Sequence, residues 1–187
     1  MNTAFGPLDD STRPVAPALE GATAEQDIPG KHLKMIHRLH LGELRRVQRL
    51  MAEIEAGERT LPELSEAVAA LRMRDNYRRF GNLCGRECQM LTFHHQAEDA
   101  MMFPVLMARA NEGFRRVVSR LMEEHLVIHE ALEALQARAD AALAEPGRET
   151  AAALKAAFTE LDRLVRSHFG YEETSLEQAL GVYGVEF

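Results

Sequence analysis

The stretch His94-His95-Gln96-Ala97-Glu98-Asp99-Ala100-Met101-Met102-Phe103-Pro104 carries ionisable side chains where an amphipathic helix should be apolar. The spacing before it predicts a helix that Pro104 ends or kinks, because proline offers no N–H and its ring crowds the preceding turn. The core-facing seam reads Leu91, His94, Glu98, Met101, in alternating steps of three and four. Residues four apart lie over one another on a helix, so His94 and Glu98 point the same way. His95 is turned about 100° from His94 and falls beside the seam, a place for a supporting or interface residue rather than a ligand. Burying a carboxylate and an imidazole without partners is strongly unfavourable.

The same intrusion recurs on three other predicted helices. The first, from about Pro29 to Ala56 with Gly57 as its stop, has the seam Leu33, His37, His40, Leu44, Val47, Met51, Ile54. Another, capped by Asn111, has Phe114, Val118, Leu121, His125, Ile128, Leu132, Leu135, and His129 follows His125 by four. The last, after the Pro146-Gly147 turn, has Leu154, Phe158, Leu161, Val165, His168, Glu172, Ser175. Thr60-Leu61-Pro62-Glu63 opens a further stretch in capping-box form, which a break near Arg72–Asn76 separates from the helix ending at Pro104. No β signal competes. Four amphipathic helices joined by short loops predict an all-α fold, an antiparallel up-down-up-down four-helix bundle over residues 28–187. At ~1.5 Å per residue, His37 lies ~12 Å from its helix start, His94 ~15 Å before Pro104 and His125 ~21 Å beyond Asn111. With His168 toward the end of its helix, these places meet at one end of such a bundle.

Residues 1–27 hold three prolines and five acids against one arginine, with no apolar period, which predicts a flexible or loosely docked tail. A formal net charge of −7 without a basic run is a poor match to nucleic acid or to an anionic membrane surface. No stretch of ~18 apolar residues offers a membrane span, and Met1–Asp10 lacks the basic start and apolar run of a signal peptide. Cys84 and Cys88 would hold their Cβ atoms about 5–6 Å apart on a helix, against the about 3.5–4.5 Å of a disulfide. They are read as free thiols, and the protein as cytoplasmic.

Ionisable groups on all four seams need a shared reason, and metal is the natural one. Five imidazoles and two carboxylates without thiolate suit a borderline metal such as iron, manganese or zinc. Seven donors are too many for a four-coordinate structural zinc and suit two ions bridged by two carboxylates. The Glu-x-x-His pair of ferritin-like bundles is absent, since the residues three before these histidines are Lys34, Leu91, Met122, Leu126 and Val165. Spacing alone leaves His40 open beside His37.

The run from His94 to Pro104 resembles the His-x-x-x-Glu-Glu/Asp-x-x-x-Phe-Pro signature of hemerythrin and bacterial HHE cation-binding domains. His125-x-x-x-His129 resembles that family's third-helix pair, His168-Phe169-Gly170-Tyr171-Glu172-Glu173 its last-helix motif, and Ile36-His37-Arg38 its first-helix histidine. The resemblance spans about residues 30–180. It implies two non-haem iron ions with an oxo or hydroxo bridge. His125, His129 and His168 would hold one iron, His37 and His94 the other, and Glu98 and Glu172 would bridge them. In oxygen-carrying hemerythrins the last carboxylate is an aspartate five residues after the histidine; the bacterial pattern favours Glu172 over Glu173, and motif context favours His37 over His40. The two-histidine iron would keep an open position for O2, NO or peroxide, in a pocket walled by Leu33, Leu41, Leu91 and Met101. The implied uses are reversible binding for storage, transport or sensing, turnover of peroxide or NO, or iron handling. A sensor would need a partner protein, and a homo-oligomer is the other expected association.

Overall fold

The computed structural model describes residues 8–56 and 85–185. The stretch opening at Thr60, the break near Arg72–Asn76 and Cys84 lie outside the described residues. Regular structure among the described residues is all helical: α1 (Ile28–Glu55), α2 (Gly85–Ala97), a π turn (Glu98–Met102), α3 (Phe103–Arg109), α4 (Glu112–Ala144) and α5 (Arg148–Val182), preceded by a 3-10 turn at Asp10–Thr12. Pro29 sits in the first turn of α1, where a missing N–H costs nothing. The Phe114 N–H donates to Asn111 Oδ1 at 3.3 Å, which caps α4 as its sequence predicts. None of the described helices is long and apolar enough to cross a membrane.

The predicted seam of α4 is buried at all seven positions from Phe114 to Leu135, and those of α1 and α5 are buried at Leu33, His37, His40 and Leu44 and at Phe158, Leu161, Val165, His168 and Glu172, with Val47, Met51, Leu154 and Ser175 half-buried. The helix leading to Pro104 departs from its predicted seam. Met101 is 67% exposed, whereas Met102 is 3% exposed and Phe103 is buried beside it. Pro104 has no N–H for the Ala100 carbonyl and its ring crowds that turn. The Phe103 N–H instead reaches back five residues to the Glu98 carbonyl. That widened turn takes in one extra residue, a feature that recurs at functional sites. The buried line therefore runs Leu91, His95, Glu98, Met102, Leu106, and Met101 faces solvent.

The chain forms two compact units, Met1–Leu39 with Thr92–Glu130 and Arg163–Phe187, and His40–Leu91 with Ala131–Asp162. In the first, the helices pack antiparallel. Lys34 and His37 of α1 pair with Glu177 and Glu173 of α5 in descending order. Asp99 and His95 pair with His125 and His129 of α4 in the same opposed sense. A Cβ on Gly30 would lie 2.3 Å from the Glu177 carbonyl oxygen, so only glycine lets α1 and α5 approach this closely there. Leu33, Met102, Phe103, Leu106, Phe114, Val117, Val118, Leu121, Leu176 and Leu180 form the core of this unit. The second unit buries Leu44, Leu91, Leu132, Leu135, Phe158 and Leu161, with His40 among its buried polar residues.

Residues 8–27, expected to be flexible or loosely docked, lie against the first unit. Ala16 and Leu19 pack on its core, and Arg13 ion-pairs with the fully buried Glu124 at 2.8 Å. Composition gave no sign of this, because one arginine in an acidic, proline-containing segment supplies the anchor.

Candidate metal centre

Two groups of donors face one another inside the first unit. His95, His125 and His168 form one, and His37, His94, Glu98 and Glu172 the other; within each group the ligand atoms lie within 4.8 Å of one another. The two groups are stitched together by their carboxylates. Glu98 lies 3.1 Å from His94 Nε2 and 3.4 Å from His125 Nε2. Glu172 lies 3.4 Å from His37 Nε2 and 3.8 Å from His168 Nε2. Each carboxylate thus sits between an imidazole of one group and an imidazole of the other.

The outer nitrogens of these rings are spoken for. His37 Nδ1 meets Glu173 at 3.0 Å, His125 Nδ1 meets Asp99 at 3.0 Å, and His168 Nδ1 meets Glu124 at 3.1 Å. His95 Nδ1 meets His129 Nε2 at 3.3 Å. An Nδ1–H donating to a carboxylate fixes the tautomer and leaves the Nε2 lone pair turned inward, the arrangement that metal-binding histidines adopt. The inner nitrogens then face each other, His37 Nε2 to His94 Nε2 at 3.0 Å and His125 Nε2 to His168 Nε2 at 3.2 Å. Two nitrogen donors about 2.1 Å from one ion and at a right angle are about 3 Å apart. Both oxygens of Glu98, both of Glu172, and His95 Nε2 are buried with no hydrogen-bond partner. Buried polar groups in that state are strongly unfavourable unless a cation completes them. The donor set therefore fits metal, and its nitrogen and oxygen atoms without sulfur suit a borderline ion.

Charge follows the same geometry. Burial, and then the neighbouring histidines, hold His95 well below the ordinary imidazole range. Burial also lowers His168, against the opposing pull of Glu124. Both rings are thus kept neutral, the form that binds metal. Burial and then the adjacent Glu172 push Glu98 well up. Burial pushes Glu172 the same way, but His37 beside it outweighs that and holds the carboxyl low. Phe169 stacks on His37 with centroids 3.8 Å apart and planes 4° from parallel, and Phe103 stacks on His125 at 5.5 Å. These rings, not Met101, line the centre.

Of the residues singled out from sequence, His37, His94, Glu98, His125, His168 and Glu172 are brought together. His129 stands one ring further out, against His95. His40 belongs to the second unit. The sequence marks His95 as a supporting or interface residue rather than a ligand, and gives Asp99, Glu124 and Arg13 no place in the site. The signal for His95 was present: it lies four after Leu91 and three before Glu98, hence on the face they share.

The carboxylates of the last helix divide the work, Glu172 inward and Glu173 on His37 Nδ1. Glu172→Ala is expected to lower the number of ions bound. Glu173→Ala should leave the number unchanged and weaken affinity about 10–100-fold, as loss of a carboxylate behind a ligating histidine does. Metal titration of the stripped variants checks this. Loss of stoichiometry in the Glu173 variant alone would reverse the assignment.

A helical unit that gathers imidazoles and carboxylates in its core belongs to the cation-binding bundles. The family model of the hemerythrin HHE cation binding domain matches residues 32–180, and the chain belongs to that family. No curated protein and no solved structure gives a match.

Proposed function

We propose that this chain is a cytoplasmic non-haem di-iron protein that takes O2, NO or peroxide at its metal pair for binding, sensing or stress response. The observation that carries it is the position of Glu98 and Glu172, each between imidazoles of the two groups, as bridging carboxylates must be. Counting the shared carboxylates, one half offers His95, His125 and His168, and the other offers only His37 and His94. The poorer half is the one with room for a small ligand. A ferrous pair bound there would supply the electrons for chemistry on that ligand. The chain's own part is to hold the donors in one tautomer through Glu173, Asp99 and Glu124, and to pack Phe169 flat against the His37 ring.

The test is an anaerobic absorption spectrum of the reduced, iron-loaded protein, followed by O2, NO and H2O2 in turn. A coloured complex with O2 that reverses when O2 is removed is the expected result. Sustained peroxide or NO consumption would replace binding by catalysis at the same centre. Indifference to all three would reject both and leave iron handling. Elemental analysis showing one zinc and no iron would reject the di-iron reading itself.

A further inference from the structure

We infer that Arg13, carried on the N-terminal arm, is a positioning residue of the metal centre that acts through Glu124 on His168. The inference rests on the two-metal reading above. Arg13 Nε donates to Glu124 Oε1 at 2.8 Å and Arg13 Nη2 to Oε2 at 3.0 Å, a two-pronged ion pair. Glu124 Oε2 in turn accepts from His168 Nδ1 at 3.1 Å. His168 and Glu124 are fully buried, and the Arg13 side chain is 11% exposed. A continuous hydrogen-bonded path thus runs from residue 13 to the ring whose Nε2 faces the donor cluster.

The arm is built to deliver that guanidinium. Arg13 Nη1 donates to Ser167 Oγ at 2.9 Å, beside His168 in the chain, and Ser167 Oγ donates to Asp10 Oδ2 at 2.7 Å. The guanidinium lies 4.7 Å over the Tyr171 ring, and the Tyr171 hydroxyl donates to the Pro14 carbonyl at 2.8 Å. Arg120 Nη2 donates to the Asp9 carbonyl at 3.1 Å while its Nε donates to Glu124 Oε1 at 3.0 Å. Pro17 fills the space over Gly113, where a Cβ would lie 2.3 Å from Pro17 Cγ. Arg120 alone approaches only one oxygen of Glu124. Arg13 occupies both, and so fixes the plane in which Glu124 presents Oε2 to His168. A lysine, with a single point of charge, cannot reproduce that grip.

The experiment titrates the metal-free full-length protein with Co2+, followed by visible absorption. Wild type is expected to bind two ions. Arg13→Ala should weaken one of the two about 10–100-fold and leave the other near wild type, with an unchanged helical circular dichroism spectrum. Guanidinium ion at millimolar concentration should restore part of the loss, Arg13→Lys should recover less than wild type, and Arg13→Ala combined with His168→Ala should bind no worse than His168→Ala alone. Unchanged affinity in Arg13→Ala would overturn the inference and spare the two-metal reading. So would a loss that guanidinium does not restore and that adds fully to the His168→Ala loss, since that marks a merely structural arm. If Arg13→Ala does not fold, Arg13→Lys decides: wild-type affinity at both ions overturns the inference, and selective weakening of one supports it. Wild type binding no Co2+ would overturn the two-metal reading and the inference with it.

Discussion

Glu98→Ala is expected to abolish most of the stabilisation that metal confers while leaving the metal-free chain close to wild type. In the metal-free protein Glu98 is a buried carboxyl whose oxygens lack hydrogen-bond partners, and burial with Glu172 nearby pushes it well up. Its removal opens a small cavity but also relieves an unsatisfied polar group that costs about 1–3 kcal/mol. These terms oppose one another. With metal the balance changes, because Glu98 lies within 3.4 Å of imidazoles in both groups. An ion present at about 100 to 1,000 times its Kd adds about 2.7 to 4.1 kcal/mol to folding. At about 2–4 °C per kcal/mol for a chain of this size, wild type should gain on the order of 10 °C. Thermal unfolding with and without ferrous iron under nitrogen measures the difference. A variant that gains as much from iron as wild type does would show that Glu98 is not shared between two ions.

His95→Ala is expected to cost one whole ion, and His129→Ala only affinity. His95 Nε2 is buried without a hydrogen-bond partner, and the ring stacks on His125 at 4.0 Å with planes 6° apart. His129 touches the far nitrogen of that ring. The adjacent pair His94 and His95 places one ring in each donor group. The donor count stays at five imidazoles and two carboxylates, with His95 where the family resemblance put His129. Inductively coupled plasma analysis of the purified variants checks this. His129→Ala losing an ion while His95→Ala keeps two would return His129 to the ligand set. In the expected case His129→Ala binds both ions with about 10–100-fold lower affinity.

Read one helix at a time, the amino-acid pattern determined a great deal. The seams of α1, α4 and α5, the Asn111 cap and the all-α class follow from 3.6-residue periodicity and from helix-end chemistry, which are local properties. So do six of the clustered residues, His37, His94, Glu98, His125, His168 and Glu172, because polar groups on four apolar seams leave few explanations. What the pattern could not determine depends on neighbours and on a change of helical repeat. The π turn at Glu98–Met102 is the backbone's answer to Pro104, and its extra residue moves burial from Met101 to Met102. A fixed heptad forces a choice between His94 and His95, whereas the packed core takes both, at 8% and 0% exposure. Glu172 and Glu173 differ by one residue, and only the position of α1 shows that the first meets His37 Nε2 and the second His37 Nδ1. Arg13 and Glu124 are 111 residues apart. Nothing local to either marks them as partners; the folded chain joins them because a carboxylate behind a buried histidine needs a cation, and the arm brings one.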